Sequence, residues 1–281
     1  MTERQVAVIG LGLIGASLGG ALRAQGYVVR GTDEDDAAMQ TAVDRGLVDD
    51  VSDDLTAILA EATLVILAIP VLSIIEVLPE IDALSPREAV IADVGSVKGP
   101  VIDAMKRLSG ASRMIGGHPI AGKEQSGPAV ADVMLFQERS FALVPSDLTS
   151  ASTIQTAQTM VREIGGVPVI LSALEHDHII ARTSHLPQLL AMALALSLEP
   201  RDESLAGPGL RDMTRLAASG ANMWKDILVS NADNISAAVE VCMTQLQNLT
   251  NMSLAEDKAA LEHAMVRANE RSALIAGVVP S

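Results

Sequence analysis

The sequence predicts an α/β Rossmann-type dinucleotide-binding domain followed by an all-α helical dimerisation domain. Three observations predict it. A glycine fingerprint lies near the start, between an apolar run and a helical stretch. Short Val/Ile-rich runs then alternate with helical stretches, the pattern of a doubly wound sheet. After Leu171 strand signals stop, and long Ala/Leu/Met-rich helical patterns take over. At 281 residues the chain exceeds one core of typical size, so two domains are expected, 1–171 and 172–281.

Candidate strands cover residues 5–10, 27–32, 64–69, 89–93, 113–116, 141–145 and 167–171. Their Val and Ile come in continuous runs, as in strands buried on both faces. Helical segments at 14–25, 35–45 and 150–164 lie between them. In the second domain, residues 176–199 read as a mostly apolar helix that Pro187 is expected to kink. Residues 228–251 and 254–275 read as two further helices. Helices this apolar in so small a domain are expected to bury surface against a second copy of the chain, giving a homodimer.

Half the residues are hydrophobic (49%), yet there is one Trp, one Tyr and two Phe, so the cores must be aliphatic. A formal net charge of −15 without a basic run argues against nucleic acid. An anionic ligand would need local arginines or lysines. The single Cys242 excludes an intrachain disulfide and fits a reducing compartment. No export signal opens the chain, and the richest apolar run, 186–198, is too short for a bilayer. A soluble cytoplasmic protein without a membrane partner is the expectation.

Gly10, Gly12 and Gly15 follow the first strand and open a helix at Leu13 and Ile14. In that context they provide a tight turn, close approach to a pyrophosphate and close helix–strand packing. The helix N-terminus adds unpaired N–H groups and a positive dipole end. Asp33 ends the second strand, where an acid accepts from ribose hydroxyls and repels a 2′-phosphate, so NAD is favoured over NADP. Arg30 is expected to be structural, and Asp35 or Asp36 to cap the next helix. Ile69 and Pro70 end a strand at the carboxyl edge of the sheet, beside the cofactor.

The reactive site is expected around Ser96 and His118. Ser96 lies in Asp93-Val94-Gly95-Ser96-Val97-Lys98, at the end of a buried strand, where its hydroxyl can reach an imidazole or the nicotinamide. His118 lies in Gly116-Gly117-His118-Pro119-Ile120-Ala121-Gly122, which holds its backbone rigidly at a strand exit. A histidine so placed suits a base facing a nicotinamide.

These motifs, with Glu124-Gln125-Ser126-Gly127, His176-Asp177, Ser184-His185-Leu186-Pro187 and Asp212-Met213-Thr214-Arg215, resemble the prephenate/arogenate (cyclohexadienyl) dehydrogenases over nearly the whole chain. The resemblance implies NAD-dependent oxidative decarboxylation of a 4-hydroxycyclohexadiene carboxylate. It implies that His118 takes the hydroxyl proton, and that Ser96 orients His118 and the nicotinamide. Arg215 would grip a substrate carboxylate. Glu124, Asp212 and Trp224 would surround that arginine, with the tryptophan reaching in from the partner subunit. Ser184 and His185 would face the substrate.

Two positions depart from the commonest family pattern. Lys123 stands where Ser or Thr is usual, and Gln188 where many prephenate-using members have His. Both are expected near the substrate's side chain and to tune recognition of its pyruvyl or alanyl group. Three other readings stay open: a 4-amino-4-deoxyprephenate dehydrogenase, a β-hydroxyacid dehydrogenase, and a non-catalytic dinucleotide sensor. The second needs a catalytic lysine on the helical domain, where only Lys225 and Lys258 occur outside any fitting motif; the third needs a DNA-reading region, and none is visible. A metal site built from His176, His178 and His185 lacks completing ligands.

Overall fold

The computed structural model describes residues 4–123 and 125–276. Eight strands form one sheet: β1 (Gln5–Ile9), β2 (Val28–Thr32), β3 (Asp50–Val51), β4 (Leu64–Leu67), β5 (Val90–Asp93), β6 (Met114–Pro119), β7 (Ser140–Val144) and β8 (Val167–Ile170). They lie in the order β3-β2-β1-β4-β5-β6-β7-β8. Every neighbouring pair is parallel except β6 and β7. The chain leaves β1 towards β2 and β3, then returns to its other side with β4. That reversal opens a crevice between the carboxyl ends of β1 and β4, where ligands of open α/β sheets bind.

The helices are α1 (Leu13–Ala24), α2 (Asp36–Asp44), α3 (Leu55–Leu59), α4 (Val71–Leu84), α5 (Gly99–Met105), α6 (Ala151–Glu163), α7 (Ala173–Ile180), α8 (Leu186–Leu196), α9 (Pro208–Thr214), α10 (Ala221–Ser230), α11 (Ala232–Leu254) and α12 (Lys258–Ile275). Two buried apolar clusters flank the sheet. One joins Val6, Val8, Leu18, Leu22 and Ile66 to Phe136, Phe141 and Met160; the other joins Ala7, Ile9, Val65 and Leu67 to Ile74, Leu78, Val101 and Met114. Alternate residues of β1 and β4 thus feed opposite cores, the reason their sequence is apolar throughout.

The structure corrects several expectations. β6 runs through His118 and Pro119 instead of ending at Gly116, because it pairs antiparallel with β7. β8, expected to be buried on both faces, leaves Val167 and Ile170 half exposed at the sheet edge. β3, two residues long, has no period to betray it. Helical structure runs unbroken across Pro187. The missing N–H falls just after a π turn at Ala181–His185, which carries α7 continuously into α8. The joined helical run, Ala173–Leu196, spans 24 residues, so by length and composition it could cross a membrane, unlike the shorter run expected. It nevertheless buries His176, Asp177, His185 and Gln188 against protein groups. The segment expected as one helix over 228–251 is broken at Asn231.

Local signals account for most helix starts. Asp35, not Asp33, caps α2 through Ala37 N at 2.9 Å. Ser150 caps α6, and Ser172 forms a reciprocal capping box with Glu175 at α7. Each such cap stabilises its helix by about 1 kcal/mol.

Packing divides the chain into two compact units, Met1–Ala232 and Asp233–Ser281. The first holds the sheet and the helices through α10. The second consists essentially of α11 and α12, with Val241, Met243, Leu246, Leu249, Met265 and Ile275 exposed.

Candidate active site

The glycine loop shows why each glycine is needed. Gly10 has φ +94°, and a Cβ there would sit 2.5 Å from the Ala68 carbonyl oxygen and 2.6 Å from Ile69 Cγ2. A Cβ on Gly15 would collide with the Gly10 carbonyl oxygen. Gly12 is different: nothing lies within 4 Å of its missing Cβ. The first two glycines serve packing, and the third keeps a face open. Leu13 and Ile14 begin α1, whose first turn has no side-chain cap and no acidic residue, so its N–H groups are free for phosphate oxygens.

Asp33 accepts from Leu11 N at 2.6 Å and from Asp35 N at 3.0 Å. It therefore pins the glycine loop, and its remaining lone pairs suit ribose hydroxyls. Arg30 reaches Glu61 at 3.3 Å rather than the phosphate pocket. Ile69 flanks Gly10, and Pro70 is the N-cap of α4. An open backbone face, an uncapped helix N-terminus and a carboxylate at the second strand fit a dinucleotide without a 2′-phosphate.

At the end of β5, Lys98 and Asp93 form a fully buried ion pair. Lys98 Nζ also donates to the Gly117 carbonyl at 2.7 Å, and Asp93 accepts from Gly95 N at 2.9 Å. Burial opposes both charges, raising the Asp93 pKa and lowering that of Lys98, while each charge supports the other. Close packing by β5, the Lys98 side chain and β7 accounts for the glycines before His118. A Cβ on Gly117 would lie 2.7 Å from Asp93 O, and one on Gly116 would lie 3.1 Å from Lys98 Cδ.

His118, half-buried on β6, places Nδ1 2.9 Å from Nε2 of His176 on α7. His176 is fully buried, and its Nδ1 lies 2.7 Å from Asp177 Oδ1. Asp177 also accepts from Lys98 N at 2.8 Å and from Gly99 N at 2.7 Å. Burial works against the Asp177 charge, but these hydrogen bonds outweigh it and hold the pKa below the usual carboxylate value. Burial, reinforced by the neighbouring His176 ring, the Lys98 ammonium and His185, all of which oppose a charge on His118, lowers its pKa well below 6.5, so its ring is neutral at pH 7. A closed ring of contacts results, from Asp177 through Lys98 to Gly117, then His118, His176 and back to Asp177. Ser96, expected to orient His118, is half-buried nearby in sequence but makes no hydrogen bond to it; His176 holds that place.

His176 and Lys98 are the residues that sequence reasoning missed. The available signal was a His-Asp pair just beyond a capping box on an otherwise apolar helix.

His185 is buried in the π turn, with Nδ1 3.2 Å from Asn231 Nδ2, which also donates to the Asp177 carbonyl. Its Nε2 and the Gln188 Oε1 are buried without a hydrogen-bond partner among the described residues. Burial pushes the His185 pKa down to about 4. Trp224 meets His185 edge-on at 5.9 Å within the same chain. Ser184 is half-buried beside it. Asp212 is exposed on α9, and Arg215 is exposed in the following turn. Lys123 is engaged in its own loop, 3.2 Å from both Val130 O and Asp132 Oδ2. Glu124 lies outside the described residues.

A cradle at the switch point and a neutral histidine at the neighbouring strand ends define the class, a dinucleotide-dependent dehydrogenase. The sequence profile described as "prephenate dehydrogenase, nucleotide-binding domain" matches residues 18–170, and that described as "prephenate dehydrogenase, dimerization domain" matches 172–267. The chain belongs to the prephenate dehydrogenase family. It is 32% identical over 270 residues to the cyclohexadienyl dehydrogenase of Zymomonas mobilis, covering 92% of each chain. It also resembles the prephenate dehydrogenase of Aquifex aeolicus, crystallised with hydroxyphenyl propionate and NAD+, at TM-score 0.91 and 28% identity, over 98% of this chain and 99% of that one. The arogenate dehydrogenase of Synechocystis follows at TM-score 0.80 and 26% identity, over 95% and 98%.

Proposed function

We propose that this chain catalyses the NAD-dependent oxidative decarboxylation of prephenate, arogenate or both, the step that forms the aromatic ring of tyrosine. The observation that carries the site assignment is His118, neutral and braced at Nδ1, with no partner at Nε2 among the described residues, on a strand that ends at the same edge of the sheet as the glycine cradle. NAD+ held by Gly10, Gly12, Gly15 and Asp33 would supply the hydride acceptor for ring carbon C4. As C4 becomes a carbonyl carbon, its hydroxyl proton passes to His118 Nε2. The bond from C1 to its carboxylate then breaks, CO2 leaves and the ring aromatises. His118 returns its proton to the oxygen that becomes the phenol, so none is released overall.

Arg215 grips a substrate carboxylate with its planar fork, and the family resemblance assigns Glu124, Asp212 and Trp224 to the network that supports it. The orphaned His185 Nε2 and Gln188 Oε1 support polar recognition of the substrate, with Ser184 beside them. Ser96 serves the nicotinamide. Lys123, paired with Asp132, shapes the neighbouring loop and tunes side-chain recognition from there. The dimerization-domain match and the exposed apolar residues of α11 and α12 support a homodimer. The test is initial-rate dinucleotide reduction with prephenate and arogenate, each against NAD+ and NADP+. Turnover with NAD+ on either substrate is the expected result; cofactor binding without turnover of either would reject the reading.

A further inference from the structure

His176 is fully buried, and it is the sole hydrogen-bond partner of the base among the described residues. The chain of contacts behind His118 has a direction. Asp177 Oδ1, an acceptor already holding Lys98 N, can only receive from His176 Nδ1, so that nitrogen carries the proton. In a neutral ring, His176 Nε2 then carries a lone pair and must receive from His118 Nδ1–H. His118 is left with its lone pair on Nε2, the ring nitrogen without a partner among the described residues. The ring orientation is equally constrained, since Lys98 Nζ holds the carbonyl of the preceding Gly117 while Asp177 holds the Lys98 and Gly99 amides.

We propose that His176, backed by Asp177, is the positioning residue of this enzyme, fixing His118 as the Nδ1–H tautomer and stabilising the imidazolium that forms during turnover. The inference rests on His118 being the base. When the substrate hydroxyl gives its proton to Nε2, His118 becomes cationic and its Nδ1–H bond to His176 becomes charge-assisted, which roughly doubles its strength. No bond is made or broken at His176. The proton goes back from Nε2 to the product oxygen, and the His118–His176–Asp177 contacts relax to their starting state.

Nitrogen-15 NMR of the histidine-labelled wild-type enzyme tests the tautomer directly, with His118→Asn and His176→Gln assigning the signals. Protonated Nδ1 and bare Nε2 are expected for His118 at neutral pH; protonated Nε2 would overturn the proposal. In kinetics, His176→Leu should lower kcat by about 10²–10³-fold with KM for NAD+ and substrate nearly unchanged. His176→Gln should recover about tenfold of that loss, because its amide oxygen can still accept from Nδ1–H but cannot present the same ring. Unchanged kcat in His176→Leu, or a glutamine variant no better than leucine, would also overturn it. Unaltered NAD+ binding shows that a variant has folded. His118→Asn separates the two claims: if it turns over normally, the base assignment fails; if it is inactive while His176→Leu is not, only the relay fails.

Discussion

Gly12→Ala isolates what the open face of the glycine loop does. Gly12 has φ −67° and ψ −166°, backbone that alanine adopts freely, and no atom lies within 4 Å of the added Cβ. Folding should therefore lose at most about 1 kcal/mol, mainly from a poorer helix cap. In a chain this size that lowers Tm by about 2–4 °C. The methyl stands where a pyrophosphate approaches the free N–H groups of α1. Losing one charge-assisted hydrogen bond there costs about 1.5–3 kcal/mol. At 1.4 kcal/mol per decade, NAD+ should bind roughly 10- to 150-fold more weakly. Gly15→Ala is the contrasting variant, since its methyl meets the Gly10 carbonyl and must push α1 away from β1. That overpacking costs about 1–3 kcal/mol or more, and it should appear first in the melt. Calorimetric titration with NAD+ and thermal melts of both variants decide the matter. If Gly12→Ala binds NAD+ like wild type, or melts as early as Gly15→Ala, the division of labour among the glycines is refuted.

Asp33→Asn keeps an acceptor for Leu11 N but removes the charge facing a 2′-phosphate; it should improve the NADP+/NAD+ ratio of kcat/KM by about tenfold, within the Coulomb range for charges ~4 Å apart. Arg215→Lys should raise substrate KM by about a hundredfold while leaving NAD+ binding intact, because an ammonium cannot replace two parallel N–H bonds. Because the His118 pKa is depressed, the acidic limb of kcat/KM should fall below the ordinary histidine value of 6.5, and a limb at or above it would contradict the burial argument. His185 carries a stability signature as well. Its folded pKa of about 4 lies below its unfolded 6.5, so the unfolded chain binds the extra proton between those values. Its contribution is complete above about pH 6.5 and lost at about 1.4 kcal/mol per unit down to about pH 4; His185→Gln should flatten that part of the Tm profile.

The glycine cradle was legible because its constraints are local: turn, close approach and helix start fall within residues 10–15, and Asp33 follows by strand length. His118 stood out through the glycines around it, although their reason is close packing against β5, Lys98 and β7, which no local pattern reveals. The His118–His176 contact joins residues 58 positions apart on different elements, so nothing in either neighbourhood announces it. The orienting role of Ser96 came from the family resemblance, for both His118 and the nicotinamide; in the fold His176 is the residue hydrogen-bonded to His118 Nδ1. The direction of β7 was equally hidden, since a buried strand has the same apolar run whichever way it pairs.

That reversed strand has an evolutionary consequence. In an all-parallel sheet, the chain leaving β6 would have to travel back to the opposite edge before the next strand could start. Antiparallel pairing lets β7 start beside the end of β6, so the chain leaves and re-enters the sheet at the same edge, with residues 120–139 between. The segment is moored at its far side, where Asp132 N donates to Ser17 Oγ and Arg45 bonds the carbonyls of Pro128 and Ala131. Between its moorings it can gain or lose residues cheaply, at about 0.6 kcal/mol per doubling of length. Insertions accepted in this stretch over evolution would therefore leave the order of the sheet and the His118–His176 contact behind it undisturbed.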